Sequence, residues 1–123
     1  MEGYDTYYNV FVNGELVQVF STERGKTEYS LSRHFKPDKT TQVLVTKRTE
    51  ATYNSASVQT FLGIKVDPKG SLVELPAAPE RRLEFLGDSI TCGSSISLDC
   101  SENNWLTYGP IASRFFGGEE EQR

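Results

Sequence analysis

The chain has 123 residues, a formal net charge of −4, and apolar and aromatic contents of 37% and 11%. This length holds at most one ordinary domain, or one small domain and a piece of another, and the aromatic content argues against disorder. The sequence carries neither a Lys/Arg stripe nor an apolar run near the roughly 20 residues that cross a bilayer, so nucleic acid and membrane are excluded as expected partners.

Strand-like runs separated by turn signals begin close to the N-terminus. Residues 7–20, "YYNVFVNGELVQVF", hold two apolar runs around Asn13-Gly14, which tolerates the positive φ angles of a type I′ turn and predicts a hairpin. The opening "MEGYDTYYNV" lacks the basic and apolar regions of a signal peptide. "TEYSLS", residues 27–32, predicts a weaker strand.

The strand pattern continues to residue 75. "TQVLVTKRTEA", residues 41–51, alternates and predicts that Val43 and Val45 are buried on one sheet face. "SVQTFLGIKV" and "SLVEL" flank a predicted turn at residues 67–70. Short strands with frequent turns predict an antiparallel β-sandwich over residues 1–78.

A proline-rich segment then interrupts the strands. "PAAPE", residues 76–80, is interpreted as a linker, because two prolines cannot lie inside a central strand. The pattern after it predicts a strand from Arg82 to Leu86, a turn at residues 87–89 and a long polar loop.

A helix is predicted after this loop, capped by Asn103 or Asn104, with Pro110 in its first turn and Gly117-Gly118 at its end. Residues 119–123 are interpreted as a charged, solvated tail. The apolar stripe of the helix needs a full sheet to cover it, or folds back on the sandwich; it consists of Trp105, Tyr108, Ala112, Phe115 and Phe116.

The turn Gly87-Asp88-Ser89 places a serine where a strand ends. A glycine permits a sharp turn, and a strand-to-helix turn aims a backbone N–H at a developing oxyanion. The G-x-S-x-G elbow is not met, because position 91 is Thr91. On the tripeptide alone, the alternative that Asp88 or Ser89 only caps a helix stays open.

The residues around this tripeptide favour the interpretation of Ser89 as a nucleophile over that of a helix cap. "RRLEFLGDSITCG", residues 81–93, resembles the first sequence block of the SGNH, or GDSL-type, hydrolases. "VLVTKRTEA", "FLGIKVDPKGSLVELP" and "NNWLTYGPIASRFFG" are similar to the second carbohydrate esterase family over roughly residues 8–117. The resemblance implies a mainly β fold, in which a jelly-roll-like sandwich over residues 1–78 precedes the first strand–turn–helix unit of an SGNH α/β domain over residues 81–118.

The resemblance also implies an activity, the deacetylation of acetylated plant-type polysaccharides or oligosaccharides such as xylan, outside the cell and without a cofactor. Ser89 is then the nucleophile and a backbone oxyanion donor, and Asp88 supports the turn. The family's other oxyanion donors and its Asp-x-x-His base belong to later blocks, so we expect a truncated chain without activity. The alternative is a non-catalytic carbohydrate-binding or interaction module built on the sandwich.

Few other residues suggest chemistry. Cys92 and Cys100 are either two unrelated thiols or a disulfide that indicates an oxidising compartment. With the only histidine, His34, they supply too few ligands for zinc, and no metal is expected. His34 itself is interpreted as a surface residue at a strand end.

Two further groups have alternative interpretations. "KRTEA", residues 47–51, is either a solvated strand face or, through Arg48 or Glu50, a contact between the two domains. A set of tyrosines forms either the core and rim of the sandwich or a platform for sugar rings: Tyr4, Tyr7, Tyr8 and Tyr53.

Overall fold

The computed structural model describes residues 6–31, 35–36, 39–49, 59–75, 77–96, 102–117 and 119–122. The first sheet has three strands: β1 (Tyr7–Val12), β2 (Glu15–Ser21) and β3 (Val43–Lys47). Their order is β2-β1-β3, and both pairings are antiparallel. The hairpin between β1 and β2 is confirmed, with φ angles of 51° at Asn13 and 86° at Gly14.

The central strand β1 holds the core of this sheet. Val10 is fully buried, and Phe11 and Val12 are 9% and 8% exposed. Because β1 has a neighbour on each side, its side chains are shielded along both edges. Two polar residues are as deeply buried, Thr6 and Asn9, each at 1% exposure.

The second unit follows residue 80. It contains β4 (Arg82–Phe85), the one-turn helix α1 (Ser89–Cys92), a 3₁₀ helix (Asn104–Leu106), α2 (Tyr108–Phe115) and β5 (Glu119–Gln122). Strands β4 and β5 pair in parallel. Glu119–Gln122, interpreted from the sequence as part of a charged, solvated tail, form a strand, because the backbone of β4 offers a hydrogen-bonding edge that this segment takes up.

One burial prediction and three strand predictions are wrong. Val43 and Val45 are 38% and 45% exposed, because β3 is an edge of the described sheet and no described strand flanks its outer side. The described parts of "TEYSLS", "SVQTFLGIKV" and "SLVEL" contain no strand, although the turn between the last two is confirmed by a hydrogen bond from Gly70 N–H to the Asp67 carbonyl at 2.7 Å. A strand needs a partner as well as a suitable sequence.

Helix α2 does not bury its aromatic stripe. Its buried residues are the small ones, Gly109, Pro110 and Ser113, whereas Phe115 and Phe116 are 83% and 58% exposed. The predicted end at residues 117–118 is confirmed on its first residue, because Gly117 has a left-handed φ of 62°.

The expected fold class is confirmed: antiparallel sheet followed by a strand–turn–helix unit. Within the part of the chain that the structure describes, no helix has the length and apolar character to cross a membrane.

Candidate functional site

Ser89 is the first residue of α1 and is exposed. The chain leaves β4 at Phe85, and Asp88 adopts an extended conformation that ends the loop and caps the helix. The Asp88 carboxylate accepts a hydrogen bond from Ile90 N–H at 3.0 Å. Asp88 is thus engaged with the backbone as a helix N-cap, the turn-supporting arrangement that the sequence suggested for it.

The far end of α1 closes on a glycine. Gly93 has a left-handed φ of 96°, and its N–H donates to the Ile90 carbonyl at 3.2 Å. Ser94 N–H donates to the Ser89 carbonyl at 2.9 Å. This pattern satisfies the last carbonyls of the helix and fixes the short turn that carries Ser89.

Thr91 connects the Ser89 turn to helix α2. Its side chain is 4% exposed, and its hydroxyl lies 2.7 Å from the hydroxyl of Tyr108 in α2. A Cβ on Gly87 would lie 1.9 Å from the Thr91 Oγ1. Gly87 is therefore required by close packing against Thr91.

A second close approach connects the turn to the polar loop. Asn103 N–H donates to the Gly93 carbonyl at 3.1 Å, and a Cβ on Gly93 would lie 2.8 Å from the Asn103 carbonyl carbon. The Asn103 side chain is 5% exposed, and its Oδ1 accepts a buried hydrogen bond from Asn9 Nδ2 at 3.2 Å. This pair was not predicted from the sequence, although an asparagine next to the apolar run Val10–Val12 is a signal for a buried polar contact.

The sheet holds this loop at two further points. Phe11 and Trp105 pack with their ring centroids 4.9 Å apart. Arg48 Nε donates to the Glu102 carbonyl at 3.3 Å, and Asn104 N–H donates to the Arg48 carbonyl at 3.2 Å. Arg48 therefore contacts the second unit, as the alternative interpretation of "KRTEA" suggested, and Trp105 folds back on the sheet.

The backbone N–H groups at the start of α1 differ in their hydrogen bonding. The Ile90 N–H is taken by Asp88, and the N–H of Ser89, at the start of α1, has no partner within the helix. An exposed hydroxyl beside such an N–H has the arrangement of a nucleophile with an oxyanion donor.

Some predicted residues lie outside the described ones. They are His34, Glu50, Tyr4, Tyr53 and Cys100. Because Cys100 is among them, the disulfide between Cys92 and Cys100 stays a prediction. The described residues contain no cluster of His, Cys, Asp and Glu that could hold a metal ion.

Known proteins resemble both the sequence and the fold. The chain is 28% identical to an acetylxylan esterase/glucomannan deacetylase of Cellvibrio japonicus over 94% of its length, and to the cellulase/esterase CelE of Acetivibrio thermocellus over 91%. It spans 34% of the first of these relatives and 14% of the second.

Two solved structures share the fold. Both are complexes of a family two carbohydrate esterase from Clostridium thermocellum with cellohexaose, and one of the two is of an active site mutant. Their TM-scores are 0.61 and 0.57, at 20% and 22% identity, and each match covers 98% of this chain and 38% of the other.

The family comparison covers the part of the chain that carries the three-stranded sheet. Residues 2–76 match the family model described as carbohydrate esterase 2 N-terminal. This match takes in more than half of the 123 residues, and it agrees with the shared fold. The chain belongs to the carbohydrate esterase 2 N-terminal family.

Proposed function

We propose that this chain supplies the nucleophile-bearing part of an SGNH-type serine esterase, in which Ser89 attacks an acetyl ester of a polysaccharide. The observation that carries the proposal is the position of Ser89, exposed at the first residue of a one-turn helix directly after a strand. A serine so placed is open to a substrate and has its own backbone N–H beside the reacting carbonyl.

The fixed surroundings of Ser89 support the same role. Asp88 caps the helix, Thr91 is hydrogen bonded to Tyr108, and Gly93 closes the last turn. A nucleophile is effective when its position is set before the substrate arrives.

Acetylated plant-type polysaccharide is the substrate class that we propose, with xylan as an example. The support is the naming of one relative as an acetylxylan esterase/glucomannan deacetylase and of another as a cellulase/esterase. The complex of a structural neighbour with cellohexaose adds support for an oligosaccharide partner. Such substrates lie outside cells, so we propose an extracellular site of action.

The chain on its own is proposed to be inactive. Serine becomes a strong nucleophile only when a base takes its proton, and the sequence has one histidine, His34, which lies 55 positions before Ser89, within the predicted sandwich. Loss of the histidine of a comparable triad lowers turnover by roughly 10⁶. The 123 residues alone should therefore not exceed background hydrolysis.

The experiment uses p-nitrophenyl acetate and two proteins. The first is the chain itself, and the second joins the chain at Phe116 to the downstream catalytic region of the Cellvibrio japonicus relative. We expect turnover only from the joined protein, and its loss in the Ser89→Ala variant but not in Ser94→Ala. Activity that survives Ser89→Ala in the joined protein would refute the proposed nucleophile.

A further inference from the structure

A cavity of about 580 Å³ lies beside β2, and no residue of the Ser89 turn lines it. This volume is in the range of small-ligand sites, roughly 300–1,000 Å³. Phe20 and Val19 contribute apolar surface. The rest of the lining carries hydroxyl, amide, carboxylate, ammonium and phenol groups, from Gln18, Ser21, Glu23, Lys26, Tyr29 and Ser30.

Three aromatic rings form a continuous stack at this cavity. Tyr8 and Phe20 have ring centroids 5.4 Å apart with planes 18° apart, and Phe20 and Tyr29 have centroids 4.8 Å apart with planes 24° apart. Tyr8 and Phe20 lie directly opposite each other on β1 and β2. Two of the three rings, Tyr8 and Phe20, therefore belong to the sheet, and the third, Tyr29, lines the cavity.

The loop that brings Tyr29 to the stack is held by its own hydrogen bonds. Lys26 N–H donates to the Glu23 carbonyl at 3.1 Å, and Gly25 takes the left-handed φ of 82° that this turn requires. Glu23 N–H donates to the Tyr29 hydroxyl at 2.8 Å. The Tyr29 ring is thereby held at its hydroxyl, which accepts from Glu23 N–H, and at one face, which stacks on Phe20.

The charges at the cavity compensate each other. Lys26 Nζ lies 2.5 Å from a Glu23 carboxylate oxygen and 4.9 Å from the Tyr29 ring centroid. Both side chains are substantially exposed, at 45% for Lys26 and 62% for Glu23. An exposed ion pair adds little to stability. A ring of a bound ligand can therefore take the place of the Lys26 ammonium over the Tyr29 ring, and Lys26 can then donate a hydrogen bond to that ligand.

We propose that this cavity is a binding site for a neutral oligosaccharide, with Tyr29 as the stacking surface. A pyranose ring offers an apolar face for an aromatic ring and hydroxyls for the surrounding side chains. An apolar ligand would leave the polar lining without partners, which costs free energy. A charged ligand would meet a lining whose charges already cancel. The site is independent of the proposed esterase activity.

The probe is cellohexaose, titrated into the full 123-residue chain by calorimetry and followed by amide chemical shifts. We expect binding, with shifts at Gln18, Ser21 and Ser30. Tyr29→Ala should lower the affinity by about tenfold or more. Tyr29→Phe keeps the ring and should keep the affinity. Tyr7→Ala, which removes an exposed tyrosine outside the cavity lining, is the matched control and should have no effect.

A second variant keeps the test decisive if Tyr29→Ala disturbs folding. Ser30→Trp fills the cavity and leaves the aromatic stack in place, so it should abolish binding with an unchanged circular dichroism spectrum. Ser89→Ala should bind like the unmodified chain, which separates this site from the esterase. Failure of the unmodified chain to bind cellohexaose, or binding that survives both Tyr29→Ala and Ser30→Trp, would overturn the proposal.

Discussion

The Thr91 and Tyr108 hydroxyls lie 2.7 Å apart, so a single hydrogen bond joins the helix that begins at Ser89 to helix α2. Thr91 is almost fully buried, whereas Ser89, two residues earlier, is exposed. The orientation of the exposed serine thus depends on a buried contact on the opposite side of the same turn.

Removing the Thr91 hydroxyl should destabilise the protein. Thr91→Val keeps the side-chain shape but leaves the Tyr108 hydroxyl without this partner, and we expect the free energy of unfolding to fall by about 1 kcal/mol. Urea unfolding measures the change. Thr91→Ser retains the hydroxyl and serves as the control for the bond. In a double-mutant cycle with Tyr108→Phe, a coupling energy of zero would contradict the structure.

Gly87 should tolerate no side chain. In Gly87→Ala the new Cβ would lie 1.9 Å from Thr91 Oγ1, so the turn must shift, at a cost of about 1–3 kcal/mol in unfolding free energy. The second substitution Thr91→Ala removes the nearest atom and should restore part of the loss. Thermal unfolding of the single and double variants tests this, and an unchanged melting temperature in Gly87→Ala would show that the contact is not there.

The buried asparagine pair should hold the polar loop against the sheet. Asn103→Ala leaves the Asn9 side chain without one of its two acceptors, which should lower the unfolding free energy by about 1–3 kcal/mol. Thr60→Ala, at an exposed position, is the control and should change little. Chemical denaturation compares them, and equal stabilities would argue against the Asn9–Asn103 contact.

Alkaline pH should weaken the aromatic stack. Burial raises the pKa of Tyr8 above 10.0, so the unfolded chain ionises first and stability falls as the pH rises past that value. The hydrogen bond that the Lys26 ammonium donates to the Glu23 carboxylate raises the pKa of Lys26 above 10.5, and the stabilisation is complete below 10.5 and lost as the pH rises through the folded pKa.

Both groups therefore act in the same direction. Tyr8→Phe should lose less unfolding free energy than the unmodified chain between about pH 9 and pH 11. Tyr7→Phe, at an exposed position on the same strand, is the comparison. Identical alkaline slopes for Tyr8→Phe and the unmodified chain would contradict the assigned cause.

Local sequence patterns predicted the features that depend on local chemistry. Asn13-Gly14 determined a hairpin because few residue pairs tolerate two positive φ angles, and the cap at Asp88 and the stop at Gly117 follow from the same kind of constraint. These residues place the Ser89 turn and the ends of its helices without reference to distant partners.

Features that depend on distant partners were not predictable in the same way. Val43 and Val45 alternate as in a buried strand, but their exposure depends on whether another strand lies beside β3. Glu119–Gln122 has a sequence poor in strand formers and becomes a strand because β4 is adjacent. The Asn9–Asn103 bond joins residues 94 positions apart, a distance over which periodicity carries no information.

The measurement that tests the role of Ser89 most directly is covalent labelling by a fluorophosphonate. The chain, joined to the downstream region of the Cellvibrio japonicus relative, is incubated with the reagent, in which the serine oxygen displaces fluoride to form an O–P bond and its proton passes to the base. Mass spectrometry of the peptide from Leu83 to Arg114 should place the label on Ser89, with none in Ser89→Ala. A label on another serine of an active joined protein, or an active protein that is not labelled at Ser89, would contradict the assignment of Ser89 as the nucleophile.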